Sequence, residues 1–164
     1  MTNKVFNVLF LCTGNSARSI LAESILTAHG GERFRAYSAG SFPRGEVNPH
    51  ALSLLSHLEF PTAGLRSKSW DEFAAPGAPD MDIVITVCDA AAQETCPVWP
   101  GHPAVAHWGI ADPAAVEGSE VDRMSAFRAA FHILEVRIRL LLALPLQSVD
   151  RLALQHHLHT IHRD

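Results

Sequence analysis

The chain alternates short apolar runs with longer segments in which apolar positions recur at helical spacing. Nearly continuous apolar runs cover residues 5–11 and 82–87, and such runs are typical of strands buried on both faces. Shorter runs at residues 34–38 and 104–108 predict two more strands. We therefore expect about four strands, each followed by a segment in which apolar positions recur at helical spacing.

The segments between and after these runs predict helices. Residues 17–29 show the 3.6-residue apolar period, and Gly30 with Gly31 ends that helix. Further helices are predicted after the Asn48-Pro49 start, near residues 71–73, from Ser119 to about Leu144, and from Ser148 into the tail.

This order of elements predicts the fold class. Strands that alternate with helices form parallel βαβ units with right-handed crossovers. A doubly wound α/β domain with helices on both faces of a parallel sheet is the simplest arrangement for about four strands. We assign residues 1–144 to this single domain and residues 145–164 to a C-terminal helical extension.

Composition and charge narrow the possible functions. A chain of 164 residues with 48% hydrophobic and 18% charged residues is ordinary for one globular domain. The formal net charge of −4 provides no global attraction for nucleic acid or anionic membranes. Because we find neither a signal-peptide pattern nor an apolar stretch of membrane-spanning length, we expect a cytoplasmic protein. There, 3 cysteines favour catalysis, redox chemistry or metal binding over a disulfide framework.

The most informative segment lies between the first predicted strand and the first predicted helix. It reads Cys12-Thr13-Gly14-Asn15-Ser16-Ala17-Arg18-Ser19. The backbone N–H groups of such a loop can surround a tetrahedral anion at a helix N-terminus, and Gly14 allows close approach of the backbone. Arg18 can hold two anion oxygens with its planar guanidinium. The oxyanion-binding residues predicted here are Thr13, Gly14, Asn15, Ser16, Ala17 and Arg18.

Cys12 is the predicted nucleophile of this loop. We expect the same N–H donors to lower the pKa of its thiol, so that a thiolate is present at neutral pH, and Ser19 to donate a hydrogen bond to it. The alternative is a buried cysteine at a strand end, followed by an ordinary turn. The position of the loop between a strand and a helix favours the catalytic interpretation.

Asp112 and the remaining thiols follow the third and fourth predicted strands. Asp112 would lie on the same rim as Cys12, where a carboxyl group can protonate a leaving oxygen, although an Asp-Pro pair is also common in simple turns. Cys88 and Cys96 are either small buried apolar residues, half of a metal site or a redox pair. No second Cys/His pair at ligand spacing supports a metal.

Several motifs together resemble the thioredoxin-coupled arsenate reductases of the low-molecular-weight protein tyrosine phosphatase superfamily. The resemblance spans about residues 5–144 and leaves the final twenty outside. Beyond the loop at 12–19, it rests on Tyr37-Ser38-Ala39-Gly40, Thr86-Val87-Cys88-Asp89, Cys96-Pro97 and His107-Trp108-Gly109-Ile110-Ala111-Asp112-Pro113.

The resemblance implies a four-stranded sheet in the order 2-1-3-4 and the reduction of arsenate to arsenite. Cys12 would attack arsenic while Asp112 protonates the departing oxygen. Cys88 would then attack Cys12, and Cys96 would resolve that disulfide to Cys88–Cys96 for reduction by thioredoxin or a similar dithiol. No metal or organic cofactor is implied for this chemistry.

The resemblance also implies a potassium ion behind the loop, held by Asn15, Glu23 and Ser38. Ser67 and Ser69 fall where further oxygen ligands are expected, but Ser69 replaces a carboxylate, which argues against the ion. In the tail, His156, His157, His159 and His162 are more typical of a solvated helix face than of a metal site.

Two other functions stay open at this point. In a protein tyrosine phosphatase, Cys12 would form a phosphocysteine that water hydrolyses. Ile20 stands where those phosphatases usually carry proline, and the two further thiols would have no role there. The other alternative is a non-catalytic anion sensor with a thiol switch. Weak phosphatase activity is expected of an arsenate reductase as well, because phosphate and arsenate share shape and charge.

Overall fold

The computed structural model describes residues 4–88, 103–148 and 150–163. Within these residues, four parallel strands form one sheet in the order β2-β1-β3-β4, as predicted. The strands are β1 Phe6–Cys12, β2 Phe34–Gly40, β3 Ile83–Thr86 and β4 Ala104–His107.

Five α-helices lie in the described residues: α1 Arg18–Gly30, α2 Pro49–His57, α3 Asp71–Ala74, α4 Glu120–Leu142 and α5 Arg151–Arg163. Single turns of 3₁₀ helix occupy Gly31–Arg33 and Pro113–Ala115. Local capping explains two of the starts. The Asn48 side chain accepts a hydrogen bond from the His50 N–H, and Ser119 forms a reciprocal capping box with Asp122.

The central strand β1 is apolar throughout because both of its faces are covered. Val8 and Phe10 face the large core that includes α1 and α4, whereas Leu9 and Leu11 face a smaller core around Phe73. All four β1 side chains are fully buried. The predicted doubly wound α/β domain is therefore confirmed.

The C-terminal helix α5 packs against the edge strand β4 and adds Leu154, Leu158 and Ile161 to the large core. The predicted start at Ser148 was wrong. The helix begins at Arg151, where the Asp150 carboxylate accepts a hydrogen bond from the Ala153 N–H. No helix in the described part of the chain combines the length and apolar character needed to cross a membrane.

The carboxyl ends of all four strands point to one edge of the sheet, and the loop that follows β1 lies there. Cys12 pairs in register with Gly40, and Leu11 pairs with Thr86. Residues that follow β3 and β4 reach the same edge, which is where open α/β sheets bind their ligands.

Candidate active site

The loop between β1 and α1 folds back on the Cys12 thiol. The Asn15 N–H donates to the Cys12 Sγ at 3.2 Å, and the Sγ lies 2.9 Å from the Ser19 Oγ. Asn15 adopts a left-handed backbone conformation with a φ of 44° and is fully buried. Asparagine tolerates this conformation better than most residues, so the loop has the residue type that its tight turn requires.

Asn15 connects the nucleophile to a distant segment of the chain. Its Nδ2 donates to the Ser19 Oγ at 2.8 Å, and its Oδ1 accepts a hydrogen bond from the Lys68 backbone N–H at 2.9 Å. The Lys68 carbonyl in turn accepts from the Gly40 N–H at 2.9 Å. Residues around Lys68 thus support the loop. The resemblance placed the neighbouring Ser67 and Ser69 behind the loop, but it did not indicate a role for Lys68.

Gly40 is the glycine that permits the closest backbone approach at this site. A Cβ atom there would lie 2.4 Å from the Thr13 carbonyl oxygen and 2.9 Å from that of Cys12. At Gly14 a Cβ would meet the Arg44 side chain, whose Nε would be 3.2 Å away. Gly40 thus allows the end of the neighbouring strand to pack closely against the loop backbone, whereas the approach of Gly14 to a bound anion stays a prediction.

A pocket of about 270 Å³ opens at the loop. It is lined by Cys12, Thr13, Gly14, Ser16, Ala17, Arg18, Phe42, Arg44, Asp112 and Ala114. The structure thus brings five of the six predicted oxyanion-binding residues together with Asp112, whereas the buried Asn15 is not among the lining residues. Phe42 and Arg44 were missed by the sequence interpretation, and both lie in the segment after β2, where the pattern predicted no element.

Arg18 and Asp112 contact each other at the mouth of the pocket. An Nη atom of Arg18 lies 3.7 Å from an Asp112 carboxylate oxygen, and its other Nη donates to the Ile110 carbonyl at 3.0 Å. Asp112 also accepts a hydrogen bond from the Ala114 N–H at 2.9 Å. Asp112 therefore caps a short turn and also lines the pocket, and its role as proton donor stays a prediction.

The electrostatic environment of Cys12 differs from the sequence prediction. Burial raises the pKa of the Cys12 thiol, while the hydrogen bonds from Ser19 and the Asn15 N–H act in the opposite direction. The expected lowering of this pKa is contradicted, because removal of the sulfur from water outweighs those hydrogen bonds.

Cys88 is the second thiol at this edge of the sheet. It is 2% exposed, and its Sγ lies 3.7 Å from the Thr13 Oγ1, so it contacts the anion-binding loop directly. Two residues earlier, the Thr86 Oγ1 pairs with the His107 Nδ1 at 2.8 Å. Cys96 and the segment that leads to it lie outside the described residues.

A polar cluster lies behind the loop at Glu23, Ser38 and Lys68. The Ser38 hydroxyl donates a short hydrogen bond to a Glu23 carboxylate oxygen, and the Lys68 Nζ lies 3.9 Å from that oxygen. Burial raises the pKa of Glu23 and lowers that of Lys68. Neighbouring charges and the Ser38 hydrogen bond oppose the shift at Glu23, and the Glu23 charge opposes the shift at Lys68.

The described residues contain no group of three or more His, Cys, Asp or Glu side chains arranged to hold a metal ion. In the tail, the His162 ring packs against His107, with centroids 5.5 Å apart. That contact places His162 against the domain, whereas His156 and His159 are exposed as predicted and His157 is half-buried.

Comparison with known proteins is consistent with this geometry. The sequence model of the family described as low molecular weight phosphotyrosine protein phosphatase matches residues 7–154. An arsenate reductase of Bacillus subtilis (strain 168) is 35% identical over 128 residues, which cover 78% of this chain and 87% of that protein. The family match extends into α5, beyond residue 144, where the resemblance was expected to end.

Two solved structures share the fold. The arsenate reductase of Archaeoglobus fulgidus DSM 4304 is 28% identical with a TM-score of 0.65, covering 84% of this chain and 99% of its own. The thioredoxin-dependent arsenate reductase of Corynebacterium glutamicum is 25% identical with a TM-score of 0.61. That match covers 86% of this chain and 62% of the longer Corynebacterium chain. From the family match over residues 7–154 and the identity to its relatives, the chain belongs to the low molecular weight phosphotyrosine protein phosphatase family.

Proposed function

We propose that this protein reduces arsenate to arsenite with Cys12 as nucleophile and Cys88 as the second thiol. The observation that carries the proposal is the contact between Cys88 and the loop residue Thr13 at 3.7 Å. A hydrolytic phosphatase needs one thiol, whereas a reductase needs a second thiol within reach of the first. The names of the curated relatives support the same activity.

The loop supplies the binding site for the oxyanion. Its backbone N–H groups lie at the N-terminus of α1, where unpaired donors and the helix dipole favour negative charge. Arg18 and Arg44 line the same pocket and add positive charge to a chain whose formal net charge is −4. The attraction for arsenate is therefore local to this pocket.

The first chemical step forms a bond between the Cys12 Sγ and arsenic. The thiolate attacks the bound hydrogen arsenate, one As–O bond breaks, and the Asp112 carboxyl group protonates the departing hydroxide, which leaves as water. Ser19 and the Asn15 N–H stabilise the thiolate before attack. Arg18 lies beside Asp112, so the acid and the anion-binding group occupy one side of the pocket.

The second step reduces arsenic. The Cys88 thiolate attacks the Cys12 Sγ, a disulfide forms, and the electron pair of the broken S–As bond passes to arsenic, which leaves as arsenite. Cys96 then attacks Cys88, which regenerates Cys12 and forms the Cys88–Cys96 disulfide. An external dithiol protein such as thioredoxin reduces this second disulfide, and no resident metal or organic cofactor takes part.

A coupled assay tests this function directly. Purified protein is supplied with arsenate and a thioredoxin system, and both arsenite formation and reductant consumption are measured. We expect one arsenite released per dithiol oxidised over many turnovers, with only slow hydrolysis of an aryl phosphate. Efficient hydrolysis of the aryl phosphate without any arsenate-dependent oxidation of the dithiol would identify a phosphatase instead.

A further inference from the structure

The region behind the loop shows whether this chain can hold the potassium ion that the resemblance implied. A monovalent ion there would need oxygen atoms from Asn15, Glu23 and Ser38. The Asn15 Oδ1 accepts from the Lys68 N–H at 2.9 Å, and the Ser38 hydroxyl donates to Glu23. The oxygens of Asn15 and Ser38 therefore each take part in a hydrogen bond within the protein and keep at least one lone pair.

The two further candidate ligands also form hydrogen bonds within the protein. The Ser67 Oγ donates to the Gly14 carbonyl and accepts from the Gly45 N–H, both at 3.1 Å. The Ser69 Oγ accepts from the Asp71 N–H at 3.1 Å at the start of α3. These hydrogen bonds leave lone pairs on the candidate oxygens, so the fit of a potassium ion depends on what else occupies the region.

A cationic side chain already occupies this region. The Lys68 side chain is 9% exposed, its Nζ donates to the Arg66 carbonyl at 2.9 Å, and it lies 3.9 Å from the Glu23 carboxylate. A metal ion at the Glu23 carboxylate would bring a second positive charge close to the Lys68 ammonium, which is unfavourable, so the residues present do not fit a potassium site. Arg66 is paired with Glu72 through two hydrogen bonds of 2.9 Å.

We propose that the Lys68 ammonium is the built-in cation behind the oxyanion loop and that the loop therefore works without a monovalent metal ion. Lys68 is a positioning residue, because it reaches the nucleophile through other groups. Its side chain anchors the segment to Glu23, and its backbone N–H fixes Asn15, which in turn holds Ser19 against Cys12. This proposal concerns anion binding by the loop and does not depend on arsenate reduction.

The wild-type protein provides the first test. The affinity for inorganic phosphate is measured by isothermal titration in potassium chloride and in choline chloride at equal ionic strength, together with the thermal unfolding midpoint. Since choline is too large to replace a coordinated potassium ion, equal phosphate affinity in the two salts is expected. Tighter phosphate binding and a higher unfolding midpoint in potassium chloride alone would overturn the proposal.

Variants of Lys68 provide the second test. Lys68→Met keeps much of the side-chain volume but removes the charge, and we expect phosphate binding to weaken by about ten-fold, within the range typical of linked sites. Lys68→Arg should retain most of the affinity. Lys4→Met is the matched control, because it removes another lysine that pairs with a carboxylate, Asp82, which lies outside the pocket lining.

A second measurement distinguishes a loss of loop positioning from a general loss of protein stability. The pH dependence of Cys12 alkylation should shift to higher pH in Lys68→Met, since Asn15 and Ser19 lose their support, and should return toward wild type in Lys68→Arg. A Lys68→Met protein with wild-type phosphate affinity and an unchanged alkylation profile would exclude the proposed role. If Lys68→Met does not fold, the salt comparison on the wild-type protein still decides the question.

Discussion

The Oγ of Ser19 lies 2.9 Å from the Sγ of Cys12, and the same oxygen accepts a hydrogen bond from the Asn15 side chain at 2.8 Å. Asn15 fills one acceptor site on this hydroxyl, and when Cys12 is a thiolate, which has no proton to donate, the Ser19 hydroxyl is the donor. Ser19 thus stabilises the thiolate form of a buried cysteine whose pKa burial raises.

Replacement of this hydroxyl should have a defined pH signature. In Ser19→Ala the hydrogen bond that lowers the Cys12 pKa is lost, so the pKa rises further and less thiolate is present at any pH below it. The alkylation rate of Cys12 at neutral pH should fall several-fold, and the pH profile should move to higher pH. Mass spectrometry of the alkylated peptide measures both quantities.

The matched control lies on the same helix. Ser24 is buried on α1, and its Oγ has no hydrogen-bond partner among the described residues. Ser24→Ala should therefore leave the alkylation profile unchanged. An equal shift in both variants would mean that the effect comes from the helix rather than from the Ser19 hydroxyl.

Asp112 should act on the chemical step rather than on binding. Asp112→Asn keeps an oxygen that can accept from the Ala114 N–H but removes the proton donor, so the turn should persist. We expect single-turnover arsenate reduction to slow by roughly 10²–10⁴-fold with phosphate affinity nearly unchanged. Rapid-quench kinetics and phosphate titration of the same preparation measure the two effects. An unchanged rate would mean that another group donates the proton.

The thiol relay makes separate predictions for its three cysteines. Cys12→Ser should abolish arsenate reduction and phosphatase activity, because serine is not ionised in this loop at neutral pH. Cys88→Ser should block arsenite release but spare aryl phosphate hydrolysis, since hydrolysis needs no second thiol. Cys96→Ser should complete about one turnover and then accumulate a Cys12–Cys88 disulfide, as expected for a relay that has lost its resolving thiol. Peptide mapping under non-reducing conditions identifies the trapped pair.

Sustained arsenate turnover by both Cys88→Ser and Cys96→Ser would contradict the relay. In that case the phosphatase alternative would account better for the loop, which phosphatases and arsenate reductases have in common. Turnover lost in Cys88→Ser alone would restrict the relay to Cys12 and Cys88.

Gly40 should be far less replaceable than Gly14. In Gly40→Ala the new Cβ meets two backbone carbonyl oxygens, which cannot move without displacing the loop, so we expect a loss of ~1–3 kcal/mol in the free energy of unfolding. In Gly14→Ala the neighbour is the flexible Arg44 side chain, and the loss should stay below ~1 kcal/mol. Denaturant unfolding of the two variants provides the comparison, and equal losses would show that the approach at Gly40 can relax.

Local patterns in the sequence determined the elements of the fold. The apolar run before Cys12 predicts a strand covered on both faces, because alternating side chains of one strand must each find a core. Asn48 and Ser119 predict helix starts through hydrogen bonds within a few residues. The chemistry of the loop from Cys12 to Ser19 was predictable for the same reason. Its backbone N–H donors, the Cys12 thiol and the Ser19 hydroxyl are close together in the chain.

The tertiary structure decided what distant segments contribute. Gly40 and Lys68 support the loop from positions 28 and 56 residues beyond Cys12, and neither belongs to a local pattern that marks such a contact. The pKa of the Cys12 thiol also depends on burial, which follows from how helices and strands pack around it. Sequence periodicity describes which face of an element is apolar, but desolvation and ion pairing depend on which elements meet, and only the packed chain decides that.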